Sequence, residues 1–248
     1  MIAREDRGVV SVLQIRYGKA NALDLQLLRA LAVEMNGLPN ETRALVLTGS
    51  EQMFSAGLDL PGLVEGGPAY TLELIGALND LLEKFIDLSI PSVAAINGHA
   101  IAGGYILAAA CDVRLMTADR GKVGLTELLL GVPFPPLALE IIRAAVGDQY
   151  ARRMVLHGEL FSATVAEQLG LVDELAAPER LLDRAVETAA RLGAVPRIAF
   201  ELTKRQMMVP LRMRLAQLGD RHEQEAGQAW VAEETAQIMQ KFVRERLG

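Results

Sequence analysis

The spacing of apolar residues changes character once along the 248-residue chain, and that change limits the folds open to it. Up to about Glu127, short runs of strand composition alternate with runs of helical periodicity. From Pro135 onward nearly every segment is helix-patterned. Strands are expected at residues 9–17, 43–49 and 92–98, and at "DVRLMT" and "KVGLTE" on either side of a turn at 119–121. Residues 22–36 and 69–88 have apolar side chains at helical spacing, and Pro91 ends the second run before the strand that follows. Strands alternating with helices, then helices alone, predict an α/β core with a helical C-terminal part.

One stretch, "AINGHAIAGGYILAAACDVRL" (95–115), sets Gly103 and Gly104 between a strand-like run and a short helix. Glycine costs conformational entropy on folding, so a pair in an apolar segment needs a reason. A tight turn or close backbone packing is one. Bare backbone N–H groups at a helix start, facing an anionic oxygen, are the other.

Composition removes several classes of function. The net charge of −6 argues against nucleic-acid or anionic-membrane partners. No apolar run reaches the ~20 residues of a membrane span. The start "MIAREDRGVV" does not read as a signal peptide, and Cys111 is the single cysteine, so a cytoplasmic location is expected. Three histidines without metal-ligand spacing predict no metal site. "MFSAG" (53–57) has Met53 where a nucleophile elbow needs glycine, which argues against Ser55 as a nucleophile. Cys111 reads as a small buried hydrophobe and His99 as structural.

Four stretches in order, "KANALD" (19–24), "LVLTGSEQMFSAGLDL" (45–60), the glycine-pair segment and "VGLTELLLGVPFPP" (123–136), resemble the crotonase, or enoyl-CoA hydratase/isomerase, family. "GELFSATVAEQLGLVDEL" (158–175) resembles its downstream helix-and-strand segment. The resemblance implies a crotonase-like spiral of β-β-α repeats over residues 1–195. It also implies a helical region, 196–248, for oligomerisation and pocket closure, and a homotrimer or dimer of trimers. The implied ligand is an acyl-CoA thioester, with coenzyme A as part of the substrate and no separate cofactor.

By the same resemblance, the N–H groups of Leu58 and Gly103 hold the thioester oxygen as it becomes anionic; removing one such donor costs about 3–4 kcal/mol in comparable sites. Lys19, Ala20, Ala56, Asp59, Leu60 and Gly104 fall at positions around the CoA thioester, although a lysine in a turn is also commonly just solvated. Residues 61–70 match a loop that covers the acyl group. Lys241 and Phe242 are candidates for closing the pocket, or members of a helix at a subunit interface.

The family's hydratases use two glutamates. Glu127 matches one of them; the other position holds Ile106. Hydration needs water activation and proton delivery, which a carboxylate pair supplies, whereas moving a double bond from C3 to C2 needs one base. The expected activity is therefore enoyl-CoA isomerisation, with Glu127 as base in an apolar setting that raises its pKa. Hydratase activity with another acid, and a non-catalytic CoA-ester binder, are the alternatives.

Overall fold

The computed structural model describes residues 1–246. Its main sheet has six strands in the order β1 (Ile2–Arg7), β2 (Val10–Ile15), β3 (Ala44–Thr48), β5 (Ser92–Ile96), β7 (Val113–Thr117), β10 (Glu174–Ala176). Only β1 runs antiparallel to its neighbour. Parallel strands need both faces covered, and every residue of β3 and β5 is buried. One face carries Leu13, Ile15, Leu45, Leu47, Ala94 and Ile96 into the principal core, with α1 (Leu25–Asn36), α2 (Leu60–Ile86) and α3 (Gly103–Ala109). The other carries Val10, Val12, Ala44, Val46, Val93 and Ala95 against Ala185 and Ala189 of α6 (Leu181–Gly193). Small side chains on that face let the helix lie close.

A second sheet, β4 (Met53–Ser55), β6 (His99–Ile101), β8 (Lys122–Gly124) and β9 (Leu160–Ser162), stands beside the first. Successive turns give one strand to each sheet and then a helix: β3 and β4 precede α2, and β5 and β6 precede α3. This is the expected β-β-α spiral. After β7 and β8 come α4 (Pro136–His157), α5 (Ala163–Gln168), α6 and then α7 (Arg197–Met207), α8 (Val209–Trp230) and α9 (Glu233–Arg246).

Three expectations are corrected. The strand in "KVGLTE" stops at Gly124, and Glu127 opens a 3-10 turn, Glu127–Leu130. Residues 61–70 are not a loop: α2 starts at Leu60 and is broken at Gly67 (φ 69°), ahead of Pro68. The half beyond Pro135 contains two short strands, β9 and β10. Among the described residues no helix is long and apolar enough to cross a membrane.

Candidate active site

A cavity of about 410 Å³ opens where the turns after β2, β4, β6 and β8 meet α2 and the C-terminal helices. Eight residues singled out from the sequence line it: Ala20, Ala56, Leu58, Asp59, Leu60, Gly103, Glu127 and Phe242. Ile106 lines it as well. Lys19 is exposed, and neither it nor Gly104 is part of the lining.

Two turns are stitched together to present Leu58. Asn21, in a left-handed conformation (φ 47°), donates its side-chain amide to Met53 O at 2.9 Å and Phe54 O at 3.2 Å. Ser55 Oγ donates to Asn21 O at 2.8 Å and accepts from the Gly57 amide at 3.1 Å. Ala56 N–H donates to Ala20 O, Leu23 N–H to Gly57 O, and Asp59 N–H to Leu23 O. Amides alternate in direction along extended chain, so bonding Gly57 and Asp59 to Leu23 turns the intervening Leu58 N–H the opposite way. Among the described residues that amide donates to no protein acceptor.

The Gly103 amide is likewise unpaired, being the first of α3, where helix geometry supplies no acceptor. Ala102 precedes it with φ 51° and ψ −126°, a strained conformation for a residue with a side chain, held by its N–H bond to Gly124 O at 2.8 Å. A methyl group placed on Gly103 would lie 3.6 Å from Leu58 N, which puts the two free amides at one spot on the wall. The same methyl meets the protein only at ordinary contact distances, so packing does not require glycine there. Gly104 differs: a Cβ would stand 2.3 Å from Ser55 O. The pair therefore answers both explanations, close packing at 104 and an uncovered amide at 103.

Glu127 follows β8 and begins the 3-10 turn, which Gly131 ends in a left-handed conformation (φ 71°). Its side chain is 6 % exposed, and Oε2 has no hydrogen-bond partner among the described residues. Burial raises its pKa from 4.5 to about 7, against the opposing pull of its own and the Thr126 backbone N–H groups. Near neutral pH such a carboxyl can both accept and return a proton.

The second acid in the lining, Asp59, sits at the N-cap of α2. Its carboxyl is folded onto that turn: a Cβ on Gly62 would be 2.4 Å from Oδ2. Burial raises its pKa too, against the pull of the Gly62 backbone N–H, and the Asp24 and Glu65 charges add to the rise. Glu65 and Glu73 are exposed, and Glu73 pairs with Arg29. Apart from Thr126, the rest of the wall is apolar, including Ile75, Leu78, Leu130, Val132 and Pro135, with Trp230 and Phe242 closing it from α8 and α9. Lys241 is exposed and does not line the cavity. Cys111 is buried and its thiol is pushed up to about 12, so it is inert at neutral pH.

Sequence reasoning did not reach Asn21, Ala102 or Trp230. The signal for Trp230 was present: a lone tryptophan whose N–H needs a partner when buried. It donates to Pro133 O at 2.9 Å.

The family model described as Enoyl-CoA hydratase/isomerase matches residues 5–247. Enoyl-CoA delta isomerase 1, mitochondrial, of Homo sapiens is 30% identical over 220 residues, 87% of this chain and 73% of that protein. The 2,3-dehydroadipyl-CoA hydratase of Escherichia coli (strain K12) is 30% identical over 213 residues, 84% of this chain and 80% of that one. The crystal structure of human mitochondrial delta3-delta2-enoyl-CoA isomerase superposes with a TM-score of 0.91 at 27% identity, covering 98% of this chain and 96% of the other.

Proposed function

The chain belongs to the enoyl-CoA hydratase/isomerase family, and we propose that within it this protein moves the double bond of an enoyl-CoA from C3 to C2. The observation that carries this reading is the pairing of Glu127 with Ile106 in one cavity wall. A hydratase needs a second group to handle water opposite Glu127, and an isoleucine can neither donate nor accept a proton. Isomerisation needs less. The Glu127 carboxylate takes a proton from C2, the dienolate oxygen gathers charge facing the Leu58 and Gly103 amides, and the proton returns at C4 as the electrons shift. Two fixed donors at that oxygen act where charge develops, in a site that apolar walls keep dry.

Changing Glu127 to Gln tests the assignment. The expected result is a 10²–10⁴-fold fall in conversion of 3-enoyl-CoA to 2-enoyl-CoA, with acyl-CoA affinity retained. An undiminished rate overturns it.

The relatives named as hydratases and the presence of Asp59 in the lining support a second reading, hydration with Asp59 as the other acid. Incubation with crotonyl-CoA separates the two: loss of the conjugated absorbance is the hydratase outcome. Assembly as a homotrimer or dimer of trimers belongs to the same proposal. The exposed apolar side chains of Ile198, Leu202, Met207 and Met213 along α7 and α8 support it. A cytoplasmic setting is supported by the buried, unpaired Cys111.

A further inference from the structure

We propose that Trp230 is the stop that fixes how long an acyl chain the cavity accepts, an inference that rests on the acyl-CoA reading above. Three residues, Ile75, Pro135 and Trp230, belong both to the 410 Å³ cavity and to a second space of about 140 Å³ on their far side. That second space lies between α2 and α8 and exists because small residues face it. A Cβ on Gly76 would meet nothing within 4 Å, and one on Gly227 would reach Leu72 Cδ2 only at 3.4 Å. Asn79 Oδ1, in a residue of the same wall, is buried without a partner among the described residues. The small space shares Leu72, Glu223 and Gly227 with an open groove along α8. A series of spaces thus runs from Glu127 to solvent, interrupted at one wall.

Trp230 is the largest member of that wall and the one that decides its position. Pro135 is tied to the backbone at the start of α4, and Ile75 is fixed on α2. The indole, 4 % exposed, is held across the gap by its hydrogen bond to Pro133 O. An acyl tail that ends before the ring is fully enclosed by apolar side chains. A longer one has to displace an anchored ring, so the affinity gained per added methylene ends there. The substrate class this selects is acyl chains whose tails stop at the indole.

The chain has one tryptophan, so its emission reports contact at the stop without any turnover. Saturated acyl-CoA thioesters of increasing length, which carry no double bond to move, are titrated into the wild-type protein with calorimetry alongside. Emission is expected to stay unchanged with free CoA and the shortest chains, and to shift at the length where affinity stops rising. In Trp230→Ala the affinity is expected to keep rising past that length, about fourfold per methylene. Adding Gly76→Leu, which refills the space behind the ring, returns the limit to its wild-type length.

Emission that ignores every bound chain, or a limit identical in wild type and Trp230→Ala, overturns the proposal. The wild-type fluorescence decides alone if Trp230→Ala does not fold. If no thioester binds the wild-type protein in calorimetry, the acyl-CoA reading itself falls and the length limit with it, an outcome distinct from binding without a limit.

Discussion

A methyl group on Gly104 would stand 2.3 Å from a backbone oxygen, whereas one on Gly103 meets nothing nearer than 3.5 Å. Adjacent alanine substitutions are therefore expected to fail differently. Gly104→Ala forces β4 and α3 apart and lowers stability by about 2–3 kcal/mol, read as a drop in Tm. Gly103→Ala leaves Tm unchanged or slightly raised, since alanine favours the helix, yet crowds the Leu58 amide and lowers kcat at least tenfold. Glu127 carries a comparable tension between stability and chemistry. Its folded pKa of about 7 lies above the ordinary 4.5, so between those values the folded state keeps a proton that the unfolded state has lost. Stability then falls as pH rises through that window and is level above it. Glu127→Gln, which cannot ionise, is expected to exceed the wild type by up to about 3 kcal/mol near pH 8 and to match it near pH 4. Urea unfolding at the two pH values checks this. Activity runs the other way: the base must be ionised, so kcat/KM for isomerisation should climb with pH and level off above about 7.

At the scale of elements, the site depends on two turns held by Asn21 rather than on a long helix or strand. Asn21→Ala removes the bonds to Met53 O and Phe54 O and leaves those carbonyls without their donor. A loss of about 2 kcal/mol is expected, with kcat reduced more than KM is raised, because the Leu58 amide loses its fixed direction while the apolar walls stay. Steady-state kinetics on 3-enoyl-CoA separates the two parameters. The elements that carry the core were legible in sequence for a physical reason: β3 and β5 are buried on both faces and read as near-continuous apolar runs, broken only by Thr48 and Ser92 at their ends. β4, β6 and β9 were not, since three residues hold too little periodicity to register, and β8, equally short, was legible only within the longer run "KVGLTE". β1, "IAREDR", has the charges of an exposed edge and is a strand only through its pairing with β2. The same distinction runs through the site. Gly103, Leu58 and Glu127 stood in short motifs, but the positive φ of Ala102 and the approach of Trp230 are set by contacts distant in sequence.

For the whole molecule the question is whether the helices beyond residue 196 are a separate unit or a wall of the core. Their attachment is polar as well as apolar. Lys204 of α7, 6 % exposed, donates to Phe85 O at the end of α2 and pairs with Asp112 at 2.9 Å. Asp112 in turn accepts from the Ser92 amide and hydroxyl at the start of β5. One ammonium thus ties α7 to the far end of the sheet that carries the site. Glu140 of α4, 1 % exposed, adds a second tie through Arg214 of α8. Leu211, Trp230 and Met239 belong to the same buried cluster as Leu13 and Leu47, so no layer of solvent divides the two parts. Lys204→Met is expected to cost about 2 kcal/mol, because it leaves the part-buried Asp112 carboxylate, 19 % exposed, without its cation. Pairing it with Asp112→Asn should recover part of that loss, a coupling that a double-mutant cycle measures. Unfolding in urea followed by tryptophan emission reports the seating of α8 on the core, whereas circular dichroism samples every helix. If the helices are a wall of one core, the two curves coincide in the wild type and shift together in Lys204→Met. A tryptophan transition at lower urea than the helical one would mean that residues 196–248 come away first and that the cavity can open without unfolding the spiral.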